Sequence, residues 1–231
     1  MVLAVFVEFV KYREWTESLG KDREWFIQLT QSKVYQVIQA FASGYGGIAL
    51  PLRYDYQIIL LPHEVNVREF SNGLKEALLS YAPTPVNTLV VCKKVREILK
   101  MNLSNENYQE DSSCLPEPLV VAHADLNDFT MKTKSLGIYR TYSEILNVIA
   151  YYVRELRDVA LVQYLGGDNI VSVCDEDNIQ RVLDVLGGAN SIKIGVGISK
   201  IPRRAFMLAA QALDAIREGG KVSKYMILRD D

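Results

Sequence analysis

Residues 160–173 read ALVQYLGGDNIVSV, two apolar runs separated by Gly166, Gly167, Asp168 and Asn169. Glycine and asparagine readily take the positive φ that a tight turn requires, so this stretch predicts a β-hairpin with strands at 160–165 and 170–173. Upstream, 119–125 is a valine-rich strand, and 135–158 holds a long helix. Downstream come a helix over 177–186, a strand over 191–198, a helix over 202–217 with proline near its first turn, and a last strand over 223–228.

The same grammar fills the first half. A strand at 2–10 leads to a helix at 22–41, which ends in the glycine-rich segment 43–47. A hairpin follows, with strands 48–52 and 57–61 around Arg53, Tyr54, Asp55 and Tyr56. A helix at 67–81 stops before Pro83 and Pro85; then come a strand at 88–92 and a short helix within 93–101. Residues 102–117 are mostly polar with no apolar period, and read as a linker. Each half therefore begins β-α-β-β-α-β, the split pattern of ferredoxin-like folds. From Val10 to Asp55 is 45 positions and from Asp125 to Asp168 is 43, as a duplicated domain requires. The expected class is α+β, two tandem ferredoxin-like domains with antiparallel sheets, at 1–101 and 118–231.

The 231 residues are 49% hydrophobic and 23% charged, with a formal net charge of −2. That balance suits a globular chain and offers nucleic acid no overall attraction. The longest apolar runs, such as Ile58 to Leu61, are strand-sized, far short of a membrane span. The first ten residues lack the basic start and cleavage site of a signal peptide, so a cytoplasmic protein is expected. Cys92, Cys114 and Cys174 are odd in number and far apart; neither a disulfide framework nor a zinc spacing is expected from them. His63 and Glu64 fall in a loop with no second histidine at metal spacing.

Chemistry concentrates in the second half. Asp125 ends its first strand and Asp168 sits in the next hairpin turn, on strands that a β-α-β-β sheet can place side by side. Two carboxylates at one edge repel unless a cation lies between them, and hard oxygen ligands suit Mg²⁺. Mg²⁺ held by one or two carboxylates keeps positions for water and phosphate oxygens, as a nucleoside triphosphate needs. Ordinary turn chemistry accounts for each residue taken singly. The pair in this topology, with Lys221 near the last strand as a point charge for phosphate, favours the metal reading. His123 shares a strand face with Asp125, where it either orients that carboxylate or packs. Tyr151, Tyr152, Trp25 and Phe26 read as core or interface aromatics.

The run from His123 through Asp125 to Asn127, the Gly166-to-Asn169 turn, and Gly195-Val196-Gly197-Ile198 resemble the palm domains of GGDEF proteins and class III nucleotidyl cyclases. The chain is more closely similar to the archaeal GTP cyclohydrolase III family, built from two palm-type domains. Tyr12, Trp15 and Thr16, then Gln31, Ser32 and Tyr35, then Arg53, Tyr54 and Asp55 match that family's first-domain motifs. The resemblance implies hydrolysis of GTP: water attacks C8, the guanine imidazole ring opens, the formyl group stays and two phosphates leave. It implies Mg²⁺, a monovalent cation such as K⁺, and a homo-oligomer with no nucleic-acid or membrane partner. By position, Asp125 and Asp168 would hold the metal, with the Leu126 carbonyl as third ligand. Amides of Asn127, Asp128 and Phe129 would contact phosphate. Gly166 and Gly167 would let the backbone approach the nucleotide, Lys221 would neutralise phosphate, and Asn169 would meet base or ribose or simply serve the turn. In the first half Asp55 keeps the hairpin position while Val10 replaces the family's strand-end aspartate, so that domain's metal site is degenerate. A GTP-sensing protein without turnover and a nucleotidyl cyclase are the other readings. The turn lacks the full GGDEF signature, which weighs against the cyclase. No general base is identified.

Overall fold

The computed structural model describes residues 1–102, 114–188, 192–219 and 224–230. The first half contains β1 (Val2–Phe9), α1 (Tyr12–Ser18), α2 (Glu24–Gly44), β2 (Ile48–Arg53), β3 (Tyr56–Leu61), α3 (Val67–Leu78), β4 (Val86–Lys93) and the single turn α4 (Val95–Ile98). Its strands form an antiparallel sheet in the order β2-β3-β1-β4, the ferredoxin-like arrangement expected. The second half contains β5 (Leu119–Leu126), α5 (Phe129–Leu136), α6 (Ile138–Leu156), β6 (Ala160–Gly166), β7 (Asn169–Cys174), α7 (Ile179–Gly187), β8 (Ile192–Ser199), α8 (Pro202–Glu218) and β9 (Tyr225–Arg229).

The second sheet runs β6-β7-β5-β8-β9, and β9 lies parallel to β8. This departs from the expected all-antiparallel sheet. The cause is α8, a crossover helix that carries the chain back before β9 begins, so the next strand repeats the direction of β8. The long helix expected within 135–158 is α6; the shorter α5 ahead of it was not expected, and Gly137, whose φ of 91° is not helical, separates the two. α1 has no buried residue and hence no apolar period by which to read it.

Both sheets are covered on both faces, which explains why their strands read as near-continuous apolar runs. α2 and α3 cover one face of the first sheet, with Val34, Ile38, Phe70 and Leu74 against Leu3, Val5 and Val7. α6 and α7 cover one face of the second, with Ile145, Tyr152, Val182 and Leu186 against Val120, Ala122 and Ala124. The remaining faces meet: Val2, Ala4, Ile58 and Leu60 share one buried cluster with Val121, Val171 and Val173. Ala205 and Ala209 of α8 join this inner layer.

α8 fits there because β8 presents Gly195 and Gly197 to it. A Cβ at Gly195 would lie 2.0 Å from the Ala209 carbonyl oxygen, and one at Gly197 2.0 Å from that of Ala205. The halves are also joined by Asp175, a buried carboxylate that accepts hydrogen bonds from the Val95 and Arg96 amides at 2.8 and 3.1 Å. It satisfies the free N–H groups at the start of α4 from across the molecule.

The cysteine expectation is overturned. Cys92 and Cys114 form a disulfide across a Cα–Cα distance of 5.7 Å, since the chain entering β5 passes the end of β4. Cys174 is free and buried. Of the linker expected at 102–117, residues 103–113 lie outside the described residues, as does Lys221. Among the described residues, no helix is long and apolar enough to cross a membrane.

Candidate nucleotide and metal site

The register of the second sheet builds the site. β5 pairs with β7 so that Asp125 stands opposite Asn169, one residue beyond Asp168 in the β6–β7 turn. Gly166 and Gly167 make that turn at φ of 106° and 61°, conformations that side-chain-bearing residues resist. Asp125 and Asp168 consequently meet, lining one cleft of about 570 Å³ with residues 126–131, Lys193 and Arg217. Burial raises the Asp168 carboxyl above the ordinary carboxylate range, and the charge and direct contact of Asp125 push the same way. Its own backbone amide and Arg217 oppose the shift.

After Leu126, the last residue of β5, the chain turns through Asp128 at a left-handed φ of 58° and enters α5 at Phe129. The opening amides of α5 thereby join the cleft beside the two carboxylates. The Asn127 Oδ1 is buried without a hydrogen-bond partner among the described residues. A set of two carboxylates, the Leu126 carbonyl and this unpartnered amide oxygen is all hard oxygen, which fits Mg²⁺.

Asn169, expected to meet the nucleotide or serve the turn, has both ends of its amide engaged within the protein. The His123 Nε2–H donates to its Oδ1 at 3.0 Å, and its Nδ2 donates to Asp168 Oδ1 at 3.0 Å. His123 thus reaches the metal-type carboxylates through Asn169 and Asp168. Of the two expected roles, orienting Asp125 or packing, the first is modified, because the ring's hydrogen bond goes to Asn169. Burial lowers the His123 pKa, outweighing the Asn169 bond and the two aspartates.

Arg217 and Lys193 are the residues that reading the sequence missed. Arg217, in the last turn of α8, places Nη2 2.8 Å from Asp125 Oδ2 and Nη1 3.0 Å from Asp214 Oδ1. The signal for Lys193 was present: it is a charged residue in the apolar run 192–198, and the register sets it opposite Asp125. Nothing local signalled Arg217, which lies 92 positions from its partner.

In the first half the equivalence with Val10 fails. Glu8 pairs with Tyr56 as Asp125 pairs with Asn169, and a left-handed residue follows three positions later in each half, Lys11 and Asp128. Glu8 is therefore the counterpart of Asp125, and Val10 the counterpart of Asn127. Gap counting across the two halves missed the two-residue offset. A carboxylate persists at the strand position, yet it is engaged otherwise: Glu8 Oε1 accepts the Tyr56 hydroxyl at 2.7 Å. Asp55 is gripped by Arg53, Nη2 to Oδ2 at 2.8 Å and Nε to Oδ1 at 3.2 Å.

Two ferredoxin-like units, with a strand-end and a hairpin-turn carboxylate meeting on the sheet face away from α6 and α7, define a tandem palm-type protein. The family model described as GTP cyclohydrolase III matches residues 3–231, and the chain belongs to that family. It is 35% identical over 226 residues to a GTP cyclohydrolase III of Aeropyrum pernix, covering 94% of this chain and 92% of that one. It is 30% identical over 231 residues to a GTP cyclohydrolase III of Saccharolobus solfataricus, covering 95% and 96%. Among solved structures, an EAL/GGDEF domain protein from M. capsulatus matches 59% of this chain and 94% of its own at 18% identity and a TM-score of 0.41.

Proposed function

We propose that the chain hydrolyses GTP, opening the guanine imidazole ring to a formylamino-pyrimidine ribosyl 5′-phosphate with release of two phosphates. The observation that carries this reading is the meeting of Asp125 and Asp168 beside the unpartnered Asn127 oxygen, in a chain whose relatives along nearly its full length bear the name GTP cyclohydrolase III. Asp125, Asp168, the Leu126 carbonyl and Asn127 would hold Mg²⁺. When bound, it would offset triphosphate charge and polarise phosphoryl oxygens.

The chain's own groups do the rest of the positioning. Backbone amides of Asn127, Asp128 and Phe129 donate to phosphate at the start of α5. Gly166 and Gly167 leave room for the nucleotide against the hairpin. Arg217 offers a planar pair of donors and Lys193 a point charge, with Lys221 in the same role. The His123–Asn169–Asp168 chain holds the turn carboxylate in place. A monovalent cation such as K⁺ belongs to the same reading, as does a cytoplasmic location.

The chain also assembles with copies of itself, a reading supported by Ile138, Tyr139, Tyr142 and Leu146, which leave an apolar stretch of α6 exposed. Light scattering that returned a monomer would contradict it.

Incubation with Mg²⁺ and GTP, followed by mass identification of products, tests the activity. The expected product has lost two phosphates, gained the elements of water across the opened ring, and kept the formyl carbon. ATP should remain intact, because groups that pair with guanine O6 and N2 are left unpaired by adenine. GTP recovered unchanged would favour a sensor, a cyclic product a cyclase, and equal turnover of ATP a general triphosphatase.

A further inference from the structure

A second cluster of chemistry-bearing side chains lies at the opposite end of the first sheet from the Glu8–Asp55 turn. His63 follows β3, Cys92 is near the end of β4, and Cys114 lies on the chain approaching β5. One donor atom from each lies within 4.8 Å of the other two. Cys92 is buried, His63 and Cys114 are half-buried, and all three line an open cleft of about 470 Å³.

We propose that His63, Cys92 and Cys114 form a redox-gated zinc site, closed as a disulfide when oxidised and open to one Zn²⁺ per chain when reduced. The histidine is already prepared as a ligand. Its Nε2–H donates to the Met1 carbonyl at 2.9 Å, which fixes the tautomer and turns the Nδ1 lone pair toward Cys114 Sγ, 3.0 Å away. A carbonyl holding the far nitrogen is the usual outer support of a metal-binding imidazole. Zn–S bonds of about 2.3 Å and Zn–N bonds of about 2.0–2.1 Å set tetrahedral donors roughly 3.3–3.8 Å apart. Side-chain rotation after the S–S bond breaks is enough to reach that spacing. The cleft supplies access for a water at the fourth position.

The chemistry balances. A dithiol reductant gives two electrons and two protons to the Cys92–Cys114 bond and leaves as its own disulfide. Zn²⁺ then displaces the two thiol protons and binds both thiolates and the neutral imidazole. In either state the segment entering β5 stays tied to the first sheet, by a covalent bond or by the metal. Cys174, buried in the other half, serves as an internal control.

The test uses the full chain reduced with a phosphine, freed of reductant under anaerobic conditions and titrated with Co²⁺. One equivalent should produce the thiolate-to-cobalt charge-transfer band and the visible bands of tetrahedral Co²⁺, and Zn²⁺ should bleach them one for one. The sulfur band separates this site from the carboxylates Asp125 and Asp168. In the wild-type chain Zn²⁺ should protect Cys92 and Cys114 from alkylation, read by mass spectrometry, and leave the labelling of Cys174 unchanged. Cys92→Ser and Cys114→Ser should abolish the sulfur-linked binding, and His63→Ala should weaken it tenfold or more. Cobalt bound without a sulfur band, or alkylation indifferent to Zn²⁺, would overturn the site. Equal thiolate binding by air-oxidised protein would overturn the gate.

Discussion

Asp168 carries more of the proposed function than its place in a turn suggests. Asp168→Asn keeps size and turn geometry while removing one charge from the paired carboxylates. Mg²⁺-dependent phosphate release should collapse by two orders of magnitude or more, with circular dichroism unchanged. Asp55→Asn should be milder, since Asp55 is gripped by Arg53 and Glu8 is bonded to Tyr56. The opposite ranking would move the reaction to the first half. Arg217→Ala should raise KM for GTP by roughly 10- to 100-fold, the scale of one charged hydrogen-bonding contact; an unchanged KM would make Arg217 a structural partner of Asp125 only. The raised pKa of Asp168 gives a linked effect on stability. Its folded pKa exceeds the unfolded one, so its ionisation costs stability above the folded value, and the cost disappears below the unfolded value. Without metal, Asp168→Asn should therefore melt higher than wild type near neutral pH. The difference should shrink to nothing as pH falls through the ordinary carboxylate range, which a series of melts across pH would read.

At the scale of elements, α8 and β8 form the most exacting contact. Gly195 and Gly197 face helix backbone, so no rotation of a side chain can admit an added methyl. Gly195→Ala and Gly197→Ala must push α8 outward, at about 1–3 kcal/mol each as overpacked sites usually cost. Because α8 also carries Arg217, displacement should weaken GTP binding before secondary structure is lost. Denaturant melts and a binding titration on the same samples would check both, and variants as stable as wild type would disprove the contact. The hairpins, the helix faces and the proline-led start of α8 were legible in the sequence, because each follows from turn chemistry or from a local apolar period. α1 was not legible, as it buries nothing. The parallel β9 was missed because strand direction depends on where the preceding helix lies.

For the whole molecule, the inner layer between the sheets makes the halves interdependent. Val121 and Val171 of the second sheet share one buried cluster with Val2, Ala4 and Ile58 of the first. Val121→Asp would put an unpaired charge in that layer, a fault that typically costs about 3–5 kcal/mol. Both halves should then lose stability together, seen in calorimetry as one transition moved downward. Two separate transitions, with only the second half affected, would show that the halves fold independently.

The amino-acid order by itself determined the duplicated β-α-β-β-α-β plan, the two hairpins, and the strand-end and turn positions of Asp125 and Asp168. Those features are set by periodicity, glycine and proline chemistry, and spacing, all of which act within a few residues. Tertiary structure alone decided that the sheets pack face to face, that Glu8 and not Val10 matches Asp125, and that Arg217 reaches Asp125. It also decided that Cys92 meets Cys114 beside His63. These meetings join residues far apart in the chain, and only the packing of whole elements, where burial and register are chosen together, brings such side chains to one place.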